Sequence, residues 1–120
     1  MSYESKIYIV EKNDSIDDDG MRYAQVIAMF DMCNMGALIS VFTQKTDCYF
    51  YSGNEKVLED KYGGALKEAK LEDVIYVLEE SVKNGENYRR IFPLLSALKT
   101  FYEQQKDNKW GEIVVLHYGY

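Results

Sequence analysis

At 120 residues, 47% of them hydrophobic, the chain is long enough to bury one core and too apolar to be a disordered acidic tail. Its formal net charge is −6, and no run approaches the roughly 18 uninterrupted apolar residues that cross a bilayer. Because residues 1–6 also lack the basic and apolar regions of a signal peptide, we expect residues 1–120 to form a single, soluble, intracellular domain.

The first half of the chain predicts β-strands. Residues 6–10 are rich in β-branched and aromatic side chains, and the polar loop that follows them runs to Gly20. In residues 22–31, apolar residues occupy every second position, as they do on one face of a strand. Some of the apolar positions also fit helical spacing, and we favour a strand through Asp31. Residues 39–43 and 48–51 flank four polar residues and predict an antiparallel hairpin, after which residues 52–54 turn the chain again.

The second half changes to helical periodicity. Apolar residues recur at intervals of three and four from Leu71 to Val82, which predicts a helix that ends before Gly85. A second stripe over residues 91–102 predicts another helix, with Pro93 in its first turn or at a kink. Residues 113–116 form a continuous apolar run that is typical of a strand inside a sheet. We therefore predict an α+β fold, with two helices on one face of a mostly antiparallel sheet of about four to five strands.

The acidic charge lies in the first half of the chain. Residues 1–60 carry 11 Asp and Glu against 5 Lys and Arg, whereas residues 61–120 carry 9 of each. Because net charge bears on association and steering more than on fold, this asymmetry indicates a surface arranged toward a partner.

Residues 15–20 contain three adjacent carboxylates and superficially resemble a calcium loop. With Gly20 as the sixth residue, an EF-hand would need a bidentate Glu at the twelfth, where this chain has Val26. We therefore predict no metal and no cofactor, and cation binding stays the minor alternative. Adjacent carboxylates repel one another unless they are screened, so we expect an exposed loop that is suited to docking.

Eleven tyrosines are many for a chain of this length. Tyrosine combines a large contact area with a hydroxyl that can bond at a wet rim, and it is common in interfaces. The alternative is that most of the tyrosines are half-buried strand residues. We predict a partner-binding site from tyrosines and carboxylates of the first half: Asp17, Asp18, Asp19, Tyr49, Tyr51, Glu55, Glu59 and Asp60.

No catalytic residues are predicted, because the reactive side chains form no recognisable motif. Cys33 and Cys48 lack metal-ligand spacing and are expected to be reduced thiols. A thiol-based site made from Cys33, His117 and Asp31 is a hypothesis that ranks last, since His117 lies far along the chain from the other two and the three form no recognisable constellation.

Direct nucleic-acid binding is disfavoured. The pair at residues 89–90 is too sparse to form a basic groove in a protein of net charge −6. The glycines at residues 63–64 are not followed by the residues of a phosphate-binding motif.

Four stretches resemble small acidic proteins of phages and prophages of Gram-positive bacteria: residues 23–33 (YAQVIAMFDMC), 59–63 (EDKYG), 89–95 (RRIFPLL) and 115–119 (VLHYG). The resemblance is spread over most of the chain and attaches to no catalytic motif. It implies an inhibitor of bacterial defence, a class that includes anti-CRISPR proteins occupying the nucleic-acid or PAM-reading groove of a nuclease. No functional residue is carried over from that class.

The leading hypothesis is a non-enzymatic inhibitor in the host-cell cytoplasm, whose carboxylates replace phosphates on the basic groove of a host defence protein such as a CRISPR nuclease. It would bind neither membrane nor nucleic acid directly. The alternative is a homo-oligomeric assembly module of a phage that dimerises through an exposed strand or aromatic patch.

Overall fold

The computed structural model describes residues 5–18, 20–31, 40–58, 64–84, 91–107 and 111–119. Within these residues the elements are β1 (Ser5–Ile16), β2 (Arg22–Asp31), β3 (Gln44–Lys45), β4 (Cys48–Ser52), β5 (Glu55–Val57), β6 (Lys67–Lys70), α1 (Leu71–Lys83), α2 (Ile91–Asp107) and β7 (Ile113–Gly119). The α+β class with two helices is confirmed. The expected count of four to five strands is wrong, because the short polar strands β3, β5 and β6 carry little apolar pattern.

The strands form one mixed sheet in the order β3-β6-β7-β1-β2-β4-β5. Every described pair is antiparallel except β2 with β4, which pair at Arg22 with Cys48 and at Tyr23 with Tyr49. β1 lies between β7 and β2 and continues to Ile16, beyond the predicted strand, because its polar second half still pairs with β2. The predicted strand over residues 22–31 is confirmed.

The sheet curls because β3 and β4 are adjacent in the chain but distant in the strand order. The backbone N–H of Thr46 donates to Leu66, beside β6, at 3.1 Å, whereas the carbonyl of Asp47 accepts from Arg22 of β2 at 2.9 Å. The chain thus changes partners between two consecutive residues. The predicted hairpin of residues 39–43 with 48–51 is wrong, because residues 40–41 form a 3₁₀ turn. β4 instead forms a hairpin with β5, across a turn at Gly53.

The two faces of the curled sheet bury different cores. On the concave face, β1, β2, β4 and β7 enclose a cluster with Leu66 that includes Val10, Ala24, Phe50 and Leu116. Residues from both ends of the strand order meet in this cluster, which requires the curl. On the convex face, alternating residues of β1 and β7 face the helices: Ile7, Ile9, Ile113 and Val115.

The helices cover the convex face through the predicted apolar stripes. α1 buries Leu71, Val74 and Leu78, and α2 buries Ile91, Leu94 and Leu98. Acidic Glu72 and Asp73 in the first turn of α1 and Lys83 in its last turn complement the helix dipole. No helix in the described residues is long and apolar enough to cross a membrane.

Candidate functional site

A buried polar cluster lies at one end of the concave core. The Lys12 Nζ donates to Asp47 Oδ1 at 3.0 Å and to the Glu68 carboxylate at 3.1 Å. The Thr46 hydroxyl donates to Glu68 Oε1 at 2.8 Å and lies 2.8 Å from the sulfur of Cys48. These five residues join β1, the β3–β4 link and β6, so the cluster closes the curl.

The cluster is held in a chemically unreactive protonation state. A hydroxyl has one proton, and that of Thr46 points at Glu68, so the Cys48 thiol must donate to the Thr46 oxygen. Burial raises the pKa of the Cys48 thiol, which keeps it neutral. Burial would lower the pKa of Lys12, but its hydrogen bonds to Asp47 and Glu68 outweigh this effect, and the net pKa is raised. Neither group is therefore a nucleophile at neutral pH.

The same cluster contains a set of metal-type ligands. Asp47, Cys48 and Glu68 each offer a ligand atom within 4.8 Å of the others, the one such group in the described part of the chain. The Lys12 ammonium already binds both carboxylates, and a protonated thiol is a poor ligand. We assign the cluster the structural role of joining the two ends of the sheet.

The hypothetical site of Cys33, His117 and Asp31 gains no support from the fold. Strand β1 lies between Asp31 of β2 and His117 of β7. Lys6 of β1 pairs with Asp31 on one side, and the next residue, Ile7, pairs with His117 on the other. Two strand spacings correspond to about 10 Å, beyond hydrogen-bond reach. The His117 ring packs against Phe42 at 5.3 Å, and Cys33 lies outside the described residues.

Three tyrosines form an exposed cluster on the part of the sheet that the helices leave uncovered. Tyr23 of β2 and Tyr49 and Tyr51 of β4 alternate with residues of the concave core, so they project from the convex face. Each pair of ring centroids is 5.9 Å apart. Tyr23 is 38% exposed and Tyr51 is 49% exposed, whereas Tyr49 is half-buried. We call these three residues the tyrosine surface.

The acidic turn between β1 and β2 touches the tyrosine surface. Asp17 shapes this turn by accepting the backbone N–H of Met21 on its carboxylate at 3.0 Å, and Gly20 supplies a φ of 77° that suits glycine. Partial burial and the Asp17 carboxylate, which also hydrogen-bonds the ring hydroxyl, raise the pKa of Tyr49. On the other side, the Lys56 Nζ of β5 lies 4.1 Å from the Tyr49 ring centroid.

The fold brings part of the predicted partner-binding site together. Asp17 and the two predicted tyrosines are neighbours, and Asp18 is exposed in the same turn. Glu55 is exposed on β5, but it alternates with Lys56 and therefore projects from the opposite face of the strand. The predicted residues Asp19, Glu59 and Asp60 lie outside the described residues.

Sequence reasoning missed Tyr23, Lys56 and the members of the polar cluster. Tyr23 lies beside Tyr49 because β2 and β4 pair in parallel, and no local sequence pattern predicts that pairing. Lys12 and Glu68 look like surface residues in the sequence. A signal was present only at Lys12, which occupies the inward position of an alternating strand after Tyr8 and Val10.

Comparison of the chain with protein-family models, with curated proteins and with solved structures finds no match.

Proposed function

We propose that this protein is a non-enzymatic inhibitor that docks its tyrosine surface and the adjoining carboxylates onto a basic surface of a partner protein. The observation that carries the proposal is a cluster of three neighbouring tyrosines, two exposed and one half-buried, on a sheet face whose other half is covered by helices. Clustered exposed aromatics with a polar rim are typical of protein-binding sites. Asp17 and Asp18 supply that rim.

The partner class we propose is a host defence protein, and the nucleic-acid groove of a CRISPR nuclease is the first candidate. A groove that binds phosphates is basic, and its potential attracts an acidic surface. Steering of this kind accelerates association and weakens as salt screens charges beyond about 10 Å at 0.1 M. The sequence resemblance supports this choice of partner.

The test measures association rates with purified CRISPR nucleases at two salt concentrations. The double variant Asp17→Asn, Asp18→Asn is expected to bind more slowly and to lose part of its salt sensitivity. The double variant Tyr23→Ala, Tyr51→Ala is expected to dissociate faster, by about tenfold or more if both rings lie in the centre of the interface.

Matched controls come from the helical half. Glu79→Gln with Glu80→Gln removes comparable charge, and Tyr76→Ala removes a tyrosine that is 66% exposed on α1. These variants are expected to bind as the unmodified protein does, and guide or target nucleic acid is expected to compete. Equal rates for all variants would contradict the docking role of this face. Binding to none of the nucleases would exclude that partner class.

The assembly-module alternative is separated by sedimentation. If the unmodified chain is a dimer that Tyr23→Ala with Tyr51→Ala dissociates, the tyrosine surface joins two copies and the inhibitor proposal is wrong.

A further inference from the structure

The geometry of the tyrosine surface suits a cation. The three centroids form a triangle with sides of 5.9 Å, and the ring planes are inclined to one another by 42°, 61° and 85°. A point about 3.7 Å above the centre of such a triangle lies about 5 Å from every centroid, inside the roughly 6 Å limit of cation–π attraction. One cation at that point is within cation–π range of all three rings and is attracted most by the rings whose faces are turned toward it.

The protein already places a cation against this surface. Lys56 projects from β5, opposite Tyr51, and its ammonium lies 4.1 Å from the centroid of Tyr49. Lys56 is an exposed residue, and cation–π attraction favours this position of its flexible side chain. The contact shows that a cation can approach a ring of this surface.

A carboxylate completes the arrangement. Asp17 adjoins Tyr49 from the turn between β1 and β2. A carboxylate beside an aromatic face attracts a positive group and accepts its hydrogen bonds. The planar guanidinium of arginine can do both at once: it stacks on a ring, bonds a carboxylate in a forked geometry and is less strongly hydrated than an ammonium.

We propose that the tyrosine surface is an arginine-binding site, in which the rings of Tyr23, Tyr49 and Tyr51 hold a guanidinium of the partner and Asp17 accepts its hydrogen bonds. This inference rests on the proposed docking role of the same face and names its chemistry. Lys56 competes for the site until the arginine displaces it.

The test is a titration followed by aromatic ¹³C NMR of the tyrosine rings. The probe is a blocked Gly-Arg-Gly peptide, and the control is the same peptide with citrulline, which keeps the shape of arginine and removes its charge. The arginine peptide is expected to shift the three rings saturably, and the citrulline peptide is expected to leave them unchanged. Equal shifts with both peptides would overturn the proposal.

Variants locate the binding. Tyr51→Leu is expected to weaken the arginine peptide about two- to fivefold, the loss of one exposed cation–π contact, while Tyr51→Phe keeps the ring and the affinity. Lys56→Met removes the internal competitor and is expected to tighten binding. Unchanged affinity in Tyr51→Leu would overturn the site, and unchanged core methyl signals verify that each variant is folded.

The outcomes separate this inference from the docking proposal. If a nuclease binds through the tyrosines but the arginine peptide does not bind, the docking function stands and the arginine chemistry is wrong. If the peptide binds but the tyrosine variants bind the nuclease normally, the arginine site stands and the docking function is wrong.

Discussion

The convex face of the sheet has two halves with different side chains. Over β7 and β1 it presents Ile7, Ile9, Ile113 and Val115, each at most 3% exposed beneath the helices. Over the start of β2 and over β4 it presents tyrosines that no described element covers. Aliphatic side chains gain from complete burial, whereas a tyrosine keeps its hydroxyl in water while its ring contacts a neighbour. The side-chain type thus distinguishes the half of the face that belongs to the core from the half that stays in contact with water.

The largest effect is expected from the covered half. Leu78→Ala removes a side chain that is 1% exposed and leaves a cavity under α1, and we expect it to lower the free energy of unfolding by about 2–4 kcal/mol. Urea denaturation gives this value. Tyr76→Ala, on the outer side of the same helix, is the control and is expected to change it by less than about 0.5 kcal/mol. A midpoint unaffected by Leu78→Ala would show that the stripe is not core.

A smaller loss of stability is expected when the polar cluster that joins the two ends of the curled sheet is broken. Lys12→Met leaves the Glu68 carboxylate, 12% exposed, without its ammonium, but Asp47 is 49% exposed and water screens it. We expect destabilisation of about 1–3 kcal/mol, below the cost of breaking a fully buried pair. Adding Glu68→Gln to Lys12→Met is expected to recover part of the lost stability. Lys83→Met, which breaks an exposed contact with Glu80, is the control, and an equal effect there would refute the role of the cluster.

The same cluster predicts how stability depends on pH. The pKa values of Cys48 and Lys12 are raised from their ordinary 9.0 and 10.5, so their contributions are complete below those values and are lost as pH rises through the folded pKa. The pKa of Asp47 is lowered from 3.8, so its contribution is present above about pH 4 and is lost on acidification. We expect the urea midpoint to fall above pH 9, and Cys48→Ala to flatten that fall. An unaltered alkaline slope in this variant would contradict the assignment.

The smallest effect on stability is expected on the uncovered half. Tyr51→Ala is expected to change the free energy of unfolding by less than about 0.5 kcal/mol, because half of the side chain is already in water. Urea denaturation checks this, with Tyr51→Phe as the control for the ring. A loss above about 1.5 kcal/mol would mean that the tyrosine surface belongs to the core, and it would erase the contrast between the halves.

The elements that the sequence predicts well are those whose pattern is local. The stripe from Leu71 to Val82 repeats every three or four residues, and α1 ends one residue beyond it. Residues 113–116 are apolar on both faces because both faces of β7 are buried. The alternation of apolar residues over residues 22–31 likewise predicts the strand that the structure contains there.

What the sequence does not reveal depends on contacts between distant residues. β3 contains only Gln44 and Lys45, and its pairing with β6 depends on the curl of the whole sheet. Lys12 and Glu68 are 56 positions apart, and only the folded sheet shows that they neutralise each other. The candidate site divides in the same way: alternation indicates Tyr49 and Tyr51, but Tyr23 joins them across strands.

The two-residue link from β3 to β4 also couples the opening of the edge strand β3 to that of β4, near the other end of the strand order. In an open sheet, a terminal strand can detach and exchange its amide hydrogens while the opposite side stays protected. Here the backbone of Thr46 is bonded to Leu66 and that of Asp47 to Arg22, so release of either strand pulls directly on the other. We therefore expect the amides of β3 and β4 to exchange together, as one cooperative unit.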